Sequence, residues 1–446
     1  MTRHARTDPP RPTAARLLGL GAVLVVTATA AVLGSLSALP WQAQAQPDPM
    51  PSAARPGEPA PEDTPTPSPT PTPPPDAVFT LVAAGDVLLH EPVIANARTA
   101  AGGYDFAPQL APVRPWVAGA DLALCHLETP VAPPGTGISG YPMFGGPAEI
   151  AVSLARNGWD GCSTASNHSV DRGAGGVTAT LDALDAAGLG HVGTARTAEE
   201  AALPQVYELT REGQTIRVAH LSATYGTNGL PVPADRPWMV TLIDTAALTA
   251  QATAARAAGA DVVVASVHCC VEYVSQPTDV QRQISQELAA SGVVDLVIGH
   301  HAHVPQPIEK LPGGPRGEGM WVAHGLGNFI SNQDGACCSP RTDSGLLMLA
   351  TFRKPLDGPV SVTGVEWTSV TVDRNGGHRV EPMSAILAGS STVGSLTAPD
   401  LATRHARVVE VVGTQAPERV APPVATGAVP VVVVRGVTAP AAPTTP

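Results

Sequence analysis

Three histidines stand within four consecutive positions of the segment VDLVIGHHAHVPQPIE, which spans residues 294 to 309. His300, His301 and His303 follow an apolar run that predicts a buried β-strand, with Gly299 at its end. Histidines at a strand exit are either solvated loop residues or neutral nitrogen donors that converge on a metal ion. The segment by itself leaves both interpretations open.

Other predicted strands of the chain also end in side chains that can bind a metal ion. They are Asp86 and His90, then His126 and Glu128, then Asn167, His168 and Asp171, and finally His268. Ligands of open α/β sheets gather beyond the carboxyl ends of the strands, and imidazoles with carboxylates suit Zn, Mn or Fe(II). One such strand end is usually an ordinary turn, whereas five in one domain predict a metal site.

The elements that carry these residues alternate at first and then follow one another as strands. Apolar runs predict strands at 78–85, 121–128, 261–268, 321–330, 345–352 and 360–372, whereas helical spacing predicts helices at 148–157, 176–188, 246–258 and 279–292. A hairpin with its turn at Glu212-Gly213 is predicted over 207–222. This order predicts an α/β core with an antiparallel flank.

The first 46 residues predict export. Four arginines precede the uncharged run 17–39, which is long enough to span a bilayer, and Ala43 and Ala45 resemble a signal-cleavage site. A cleaved signal peptide and an N-terminal membrane anchor both remain open. In either case the basic front predicts that the rest is translocated, so the protein is secreted or membrane-anchored and extracytoplasmic.

Composition divides the remainder of the chain. Residues 47–77 predict a Pro/Thr-rich disordered linker, 78–375 one large folded domain, and 376–446 a C-terminal extension that is partly disordered. The formal net charge is −12 and no basic cluster lies outside the leader, which argues against nucleic acid as a partner. Six cysteines in an exported chain without C-x-x-C spacing predict three disulfides rather than a zinc site.

The ordered motifs resemble a known family. GDVLLH, CHLETP, ASNHSVDRGAGGVTATLDALDAAGLGHVG, VHCCVEYVSQPT, VIGHHAHVPQPIE and HGLGNF are similar to those of the CapA, or poly-γ-glutamate capsule-synthesis, proteins of the calcineurin-like metallophosphoesterase superfamily. The resemblance covers residues 78–353, and its ASNH and GHHAH blocks are the specific parts. It implies the α/β (α+β) class, with a layered αββα sandwich of the metallo-dependent phosphatase type.

The resemblance also implies a dinuclear centre of two divalent transition metals, Mn, Fe or Zn. Its ligands would be Asp86 on one ion, Glu128 as the bridging acid, Asn167 and His268 on the second ion, and His301 and His303 on one ion each. His168 would protonate the leaving group, and Asp171 would orient its imidazole. Possible additional residues are His90, outside the tighter DxH motif, His300, an extra histidine expected to be spared, and Arg172, near a bound phosphate.

The cysteines depart from the family pattern. Cys269-Cys270 stands where the family has Trp-Gly, and a second vicinal pair, Cys337-Cys338, is inserted after the LGN motif. Beside the catalytic loops that the resemblance implies, these pairs predict inter-loop disulfides. Cys125 and Cys162 lie on predicted neighbouring strands and are either a disulfide or two small core residues.

Two functions are compatible with these features. The first is an exported metal-dependent hydrolase, a phosphoesterase or a γ-glutamyl amide hydrolase, linked to the synthesis of poly-γ-glutamate or another capsule polymer. The second is a non-catalytic accessory subunit that binds polymer or membrane synthase subunits. Retention of every proposed ligand favours hydrolysis, in which two cations activate water, although a fold does not determine its function.

Overall fold

The computed structural model describes residues 75–391 and 394–435. The predicted leader at 1–46 and nearly all of the linker at 47–77 lie outside these residues. Among the helices of the described ranges, none combines the length and the apolarity that crossing a bilayer requires.

The strands, in chain order, are β1 (Ala77–Val87), β2 (Leu122–Leu127), β3 (Gly161–Ser163), β4 (Gly190–Val192), β5 (Gln205–Arg211), β6 (Gln214–Thr224), β7 (Val262–His268), β8 (Leu296–His300), β9 (Ile308–Leu311), β10 (Met320–Ala323), β11 (Asn328–Ile330), β12 (Ser344–Lys354), β13 (Ser361–Asp373), β14 (Arg379–Pro382) and β15 (Val431–Val433). The helices are α1 (Glu91–Asn96), α2 (Ala107–Leu110), α3 (Arg114–Val117), α4 (Glu149–Asn157), α5 (Gly173–Ala186), α6 (Ala198–Ala201), α7 (Thr245–Ala257), α8 (Asp279–Ala290), α9 (Met383–Leu387) and α10 (Ala398–Val412).

These strands form two mixed sheets. The first sheet has the order β14-β13-β12-β1-β2-β3-β4, with β11 paired to the end of β1, and the second has the order β15-β5-β6-β7-β8-β10-β9. The run β1-β2-β3-β4 is parallel, as is β6-β7-β8, whereas β12, β13 and β14 pair antiparallel. The predicted parallel core with an antiparallel flank is therefore confirmed.

The two sheets pack face to face between layers of helices. One hydrophobic cluster joins them, because it contains Leu81 and Leu124 of the first sheet together with Val218, Val264 and Leu296 of the second. The outer face of the first sheet packs on a cluster that includes residues of α1 to α5, and that of the second on residues of α7 and α8. The predicted αββα sandwich is confirmed, and burial on both faces explains the continuous apolar runs of the parallel strands.

Local sequence signals determine where the crossover helices begin. Helix α8 starts with a capping box, in which Thr278 Oγ1 accepts from Gln281 N and Gln281 Oε1 accepts from Thr278 N. Helix α7 is capped by Asp244, whose carboxylate accepts from the backbone N–H groups of Ala246 and Ala247. These caps provide acceptors for backbone N–H groups at the helix N-termini that would otherwise lack partners, so each helix begins at a defined residue.

The segment WVAHGLGNFI was predicted as one strand, and this prediction is wrong. The chain forms β10 in the second sheet, leaves it after Ala323, and enters the first sheet as β11 at Asn328. The crossing passes through Gly327, at φ +67°, whose carbonyl accepts from Asp86 N at 2.9 Å. That carbonyl lies where a Cβ on Gly85 would be, so the close approach beside Asp86 requires glycine at position 85.

The two strands beyond residue 375 belong to the same two sheets. Strand β14 pairs with β13, and β15 pairs antiparallel with β5. The C-terminal segment is also held by Thr426, whose backbone N–H donates to Asp121 Oδ1 at 2.6 Å. The predicted boundary at residue 375 thus falls between two paired strands, and residues 436–446 lie outside the described part of the chain.

The Asp121–Arg211 ion pair links the first sheet, the second sheet and this C-terminal segment. Its Nη2–Oδ1 distance is 2.7 Å, and both side chains are buried. Replacing Asp121→Ala would leave the Arg211 guanidinium buried without its partner, so we expect a loss of about 3–5 kcal/mol in the free energy of unfolding. Denaturant titration followed by tryptophan fluorescence measures this loss.

The matched control is Glu208→Ala, which removes the partner of Arg217 from a half-exposed ion pair. That change should alter the free energy of unfolding by no more than about 1 kcal/mol. Equal effects of the two substitutions would contradict the structural role of the buried pair.

Candidate metal centre

The candidate ligands meet where parallel strands of both sheets end. Asp86 lies near the end of β1 and Glu128 directly follows β2, whereas His268 ends β7 in the second sheet. The loops after β3 and β8 supply the remaining candidates, Asn167, His301 and His303. All six side chains are buried, so the packing of one sheet on the other assembles the site.

Asp86 is surrounded by donors from the GHHAH loop. Its Oδ2 accepts from His301 N at 3.2 Å and lies 3.1 Å from His303 Nδ1, whereas its Oδ1 lies 3.3 Å from His300 Nδ1. The imidazoles of His300 and His303 together outweigh the effect of burial and hold the pKa of Asp86 well below its usual value. Asp86 is therefore an ionised acceptor at neutral pH.

The loop that carries the two candidate histidine ligands has an unusual backbone. His301 has φ +80° and His303 has φ +55°, in a region that residues other than glycine rarely adopt. Such conformations cost free energy and recur at functional sites, where the surrounding structure maintains them. This turn brings His301 and His303 together with Glu128, their ligand atoms all within 4.8 Å of one another.

The buried carboxylate of Glu128 lacks hydrogen-bond partners. Its Oε1 lies 3.7 Å from His303 Nε2 and 4.0 Å from His268 Nε2, and neither carboxylate oxygen has a hydrogen bond. Burial raises the pKa of Glu128 well above its usual value. Burial lowers the pKa of His303, but the carboxylates of Glu128 and Asp86 outweigh this effect and raise it to about 10. A positive charge is therefore favoured between these carboxylates.

A metal ion fits this donor set. Buried polar atoms without a hydrogen-bond partner cluster here: Asp86 Oδ1, both oxygens of Glu128, both ring nitrogens of His300, and His301 Nδ1. Native proteins pair nearly all such atoms, and carboxylates with imidazoles are the ligands of Zn, Mn and Fe(II). The cluster offers two groups of candidate ligands, Asp86 with His126 and His300, and Glu128 with His301 and His303.

His126 takes part in a hydrogen-bonded chain that reaches the second sheet. Its Nδ1 lies 2.8 Å from Ser163 Oγ, and its Nε2 lies 2.9 Å from His268 Nδ1. His268 Nε2 in turn lies 2.8 Å from Asn167 Oδ1. Burial, together with neighbouring histidines, lowers the pKa of both imidazoles, so each is neutral and has one donor and one acceptor nitrogen.

The hydrogen bonds that link Ser163, His126 and His268 can run in either direction, but only one direction keeps the hydrogen bond from His268 to Asn167. When Ser163 donates to His126, His268 Nε2 carries the proton and donates to Asn167. A metal ligand at His268 Nε2 needs a free lone pair, and the reversed chain supplies it, with His268 Nδ1 donating to His126 and His126 donating to Ser163. In both directions the nitrogens of His126 are occupied, which makes His126 a positioning residue for His268 rather than a ligand.

His168 and Asp171 form the pair that the sequence predicts, on the open side of the cluster. His168 Nδ1 lies 2.7 Å from Asp171 Oδ2, which leaves His168 Nε2 directed elsewhere. The same oxygen accepts from Phe144 N at 2.8 Å, and the Phe144 ring lies edge-to-face against His168, with 4.8 Å between centroids. Asp171 therefore fixes both the imidazole and the loop beside it.

The three additional candidates have different surroundings. His90 Nδ1 accepts from Asn332 N at 3.2 Å, so its proton lies on Nε2 and it is a donor rather than a ligand. Burial is the main cause that lowers the pKa of His90 to about 4. His300 stacks on His126 with 4.0 Å between ring centroids. Arg172 donates to Ser139 Oγ and Thr136 Oγ1, at 2.7 and 3.0 Å, and braces a loop.

A cleft of about 720 Å³ opens above the candidate ligands. Asn167, His168 and His303 contribute to its floor, and its walls come from the loops around residues 141–144, 228–230, 272–273 and 332–338. This volume is typical of sites that bind small molecules or short polymer segments. The candidate general acid His168 thus lies between the buried ligand cluster and a space that can hold a substrate.

The cysteine sulfurs pair differently from the inter-loop prediction. The sulfur of Cys337 lies next to that of Cys338, and the sulfur of Cys269 next to that of Cys270, so the nearest partners are within each vicinal pair and not between the two loops. The two vicinal pairs lie in different places, because Cys337 and Cys338 line the cleft whereas Cys269 is buried. Cys125 and Cys162 are in register on adjacent strands, and their sulfurs are at bonding distance.

Sequence reasoning omitted two residues from the ligand environment. His126 was noted at its strand end but not assigned, although it lies two residues before Glu128, and alternation places both on one side of the chain. Asn328 Oδ1 accepts from His303 Nδ1 at 3.0 Å, and Asn328 belongs to the HGLGNF motif. No local pattern indicates that contact, because the two residues come from different sheets.

The fold and the site define a two-sheet sandwich protein with a buried cluster of candidate metal ligands at its strand ends. The family described as bacterial capsule synthesis protein PGA_cap matches residues 80–333, and the chain belongs to this family. The predicted CapA relationship is therefore confirmed, and the description of the family refers to capsule synthesis.

Two curated relatives have related descriptions. The PGA biosynthesis protein CapA of Bacillus subtilis is 28% identical over 212 residues, which cover 46% of this chain and 50% of that protein. A "probable polyglutamine synthesis accessory protein" of Mycobacterium tuberculosis is 30% identical over 189 residues, 39% of this chain and 46% of that protein. The chain thus spans about half the length of the curated relatives it matches.

Solved structures with similarity to the chain are more distant. An NAD nucleotidase of Haemophilus influenzae aligns with a TM-score of 0.42 and 13% identity, over 78% of this chain and 58% of that chain. A 5′-nucleotidase precursor of Thermus thermophilus aligns with a TM-score of 0.39 and 15% identity, over 66% and 54% respectively.

Removing bound metal should destabilise the protein. Chelation leaves the carboxylates of Asp86 and Glu128 buried without a cation, and ligand linkage predicts a loss of about 2.7 kcal/mol relative to a metal concentration of 100 Kd. Thermal unfolding with EDTA and then with added Mn²⁺ measures the shift. Glu128→Gln should show a smaller response, and an unchanged midpoint on metal removal would contradict the fit.

Replacing His126 should weaken metal binding although His126 is not a ligand. His126→Leu removes the acceptor for His268 Nδ1, and such losses typically cost about 10–100-fold in metal affinity. His126→Gln retains a donor and an acceptor and should lose less. Competition with a fluorescent chelator measures the affinity. The control is His220→Leu, a buried histidine hydrogen-bonded to Ser266, and an equal loss there would refute the positioning role.

Proposed function

We propose that the protein is an exported metal-dependent hydrolase that acts on a cell-surface polymer or on a phosphoester formed during its synthesis. The observation that carries this proposal is the position of His168 between the unsatisfied ligand cluster and the cleft. Divalent ions held there, two of them in the family's arrangement, would lower the pKa of water and polarise the scissile group.

The chain's own residues account for the remaining requirements of hydrolysis. Asp86, Glu128, Asn167, His268, His301 and His303 are the proposed ligands. His168 lines the cleft, keeps Nε2 free of the contact with Asp171, and would deliver a proton to the leaving oxygen or nitrogen. Asp171 holds Nδ1 of that ring at 2.7 Å and would stabilise its protonated form, as carboxylates paired to histidine do.

Export and surface location extend the proposal to the N-terminal segment. The basic front and the uncharged run 17–39 support translocation, and the linker 47–77 would separate the folded domain from the membrane if the segment stays uncleaved. Partners on that surface would be the polymer itself and membrane synthase subunits. Fractionation of cells, with terminal sequencing of the mature chain, distinguishes a secreted form from an anchored one.

A non-catalytic accessory role is the second candidate. The observation that favours it is the description of one relative as an accessory protein. In that case the cleft would bind polymer or a partner subunit, and the ion would organise the surface without turnover. Metal-loaded protein that binds polymer and hydrolyses no phosphoester or γ-glutamyl amide would support this role over hydrolysis.

Turnover of a generic phosphodiester tests the hydrolase proposal. The purified full chain loaded with Mn²⁺ should hydrolyse glycerophosphocholine, a diester whose alkoxide leaving groups need protonation, and His168→Gln should reduce kcat by about 10²–10⁴-fold, the usual contribution of general acid catalysis. Metal content, measured by elemental analysis, should stay at the wild-type level in this variant because His168 is not a proposed ligand.

The matched control is His405→Gln, a half-buried histidine of α10 paired with Glu418. It should retain wild-type turnover. If His168→Gln also retained it, or if metal-loaded protein hydrolysed neither this diester nor a γ-glutamyl amide, the hydrolase proposal would be wrong.

A further inference from the structure

The cleft above the ligand cluster is lined by no lysine or arginine among the described residues. Apart from the candidate ligand His303 and two further histidines, its charged residues are two acids, Asp171 and Glu272. A polymer of glutamate carries one carboxylate on every unit. Any unit that extends beyond the ligand cluster would therefore lie in a cleft without a compensating cation.

The basic groups nearest the cleft are occupied by other partners. Arg172 donates to Ser139 and Thr136 in the wall loop. Arg374 forms an ion pair with Asp334 and donates to Asn332 Oδ1 at 3.2 Å, behind the cleft surface. Neither guanidinium belongs to the residues that line the cleft.

The walls instead present neutral donors. His90 accepts at Nδ1, so Nε2–H is its free donor. The oxygen of Asn332 accepts from Arg374 and from His378 Nε2, the latter at 2.8 Å, so its amide N–H groups are the groups left for a ligand. Asn228 uses its oxygen to accept from Asn167 and likewise retains its N–H groups. Such donors suit hydroxyl, ether and carbonyl oxygens.

The mouth of the cleft is apolar and aromatic. Tyr141 is 77% exposed and Met143 is 40% exposed on one side, and Val271 and Val274 are exposed on either side of Glu272 and Tyr273. Gln333 donates to Tyr273 Oη at 3.3 Å and holds this ring in the wall. Exposed aromatic and apolar side chains around a cleft mark a binding surface, and rings with one polar tip suit a ligand that is partly apolar and partly hydroxylated.

We propose that the cleft binds an uncharged, hydroxyl-bearing segment, a neutral glycan, beside the bond that is hydrolysed, and that it discriminates against polyanionic chains. This inference rests on the proposed function only for the location of the reacting bond at the ligand cluster. Its basis is the combination of neutral donors, an aromatic mouth and Glu272, which can accept from a hydroxyl group.

Two physical arguments favour a glycan over the alternatives. A ligand carboxylate about 4 Å from Glu272 would be repelled by about 1 kcal/mol in water and about 4 kcal/mol at an effective dielectric constant of 20. Extended peptides are commonly bound by addition to a sheet edge. All residues that line the cleft lie outside the strands, so the cleft offers a peptide no such edge.

Calorimetric titration of the full-length, Mn²⁺-loaded protein tests this proposal with size-matched probes. The probes are the neutral hexasaccharides maltohexaose and chitohexaose, γ-linked hexaglutamate, and its uncharged analogue γ-linked hexaglutamine. At least one hexasaccharide should bind about tenfold or more tightly than hexaglutamate, and more tightly than hexaglutamine. Hydrolysis of glycerophosphocholine is measured on the same preparation, so failure of catalysis and failure of recognition are separated.

Two variants localise the effect to the cleft. Tyr141→Ala should weaken hexasaccharide binding about tenfold by removing the exposed ring. Glu272→Lys should strengthen hexaglutamate binding by a similar factor, because it replaces a repulsive charge with an attractive one. Glu318→Lys makes the same charge change outside the cleft and should leave both affinities at the wild-type value.

Three results would overturn the proposal. Tighter binding of hexaglutamate than of both hexasaccharides would show that the cleft accepts a polyanion. Tighter binding of hexaglutamine would assign the cleft to an uncharged peptide. Absence of hexasaccharide binding at millimolar concentration would also exclude the glycan.

Discussion

The burial of two carboxylates, Asp86 and Glu128, between the sheets is the constraint on which the rest of the site depends. Isolated charges in a protein interior are too costly to persist unless they are paired, protonated or bound to a metal ion. Here the compensation comes from imidazoles of the opposite sheet, and it is incomplete, because both oxygens of Glu128 lack hydrogen bonds. A bound cation would compensate these buried carboxylates, so the cluster favours cation binding. The burial of Asp86 and Glu128 therefore accounts for the candidate metal site.

Because the cluster spans both sheets, packing between the layers controls its geometry. His126 belongs to β2 and His268 to β7, and the 2.9 Å contact between their rings crosses the interior. Close-packed interiors hold such distances to within a few tenths of an ångström, since voids and overlaps are both destabilising. The hydrogen bonds that link Ser163, His126 and His268 can reverse their direction, which leaves lone pairs of His268 Nε2 and Asn167 Oδ1 facing each other, available to a cation.

Family membership and cleft chemistry lead to different views of the substrate. The family is described as a capsule synthesis protein, and the curated relatives carry names that refer to PGA biosynthesis or polyglutamine synthesis. The cleft, however, contains no described cation beyond the ligand cluster, and its free donors are neutral. The two views concern different parts of the site, because the candidate ligands lie at strand ends whereas the cleft walls are loops, which tolerate sequence change better than strands do.

The sequence by itself determined the features that depend on neighbouring residues. The strands, their apolar runs and the polar residues at their ends are local patterns, so an α/β core with an antiparallel flank and a metal site at the strand ends could be predicted from them. The αββα class and the assignment of individual ligands were implied by the resemblance to the CapA family. Only the tertiary structure decided which of these residues meet. It split residues 321–330 between two sheets, turned Arg172 toward a loop, and placed β15 against β5. It also gave His126 a partner 142 positions away. These contacts join segments that are distant along the chain, and their energies depend on burial and distance, which no local spacing encodes.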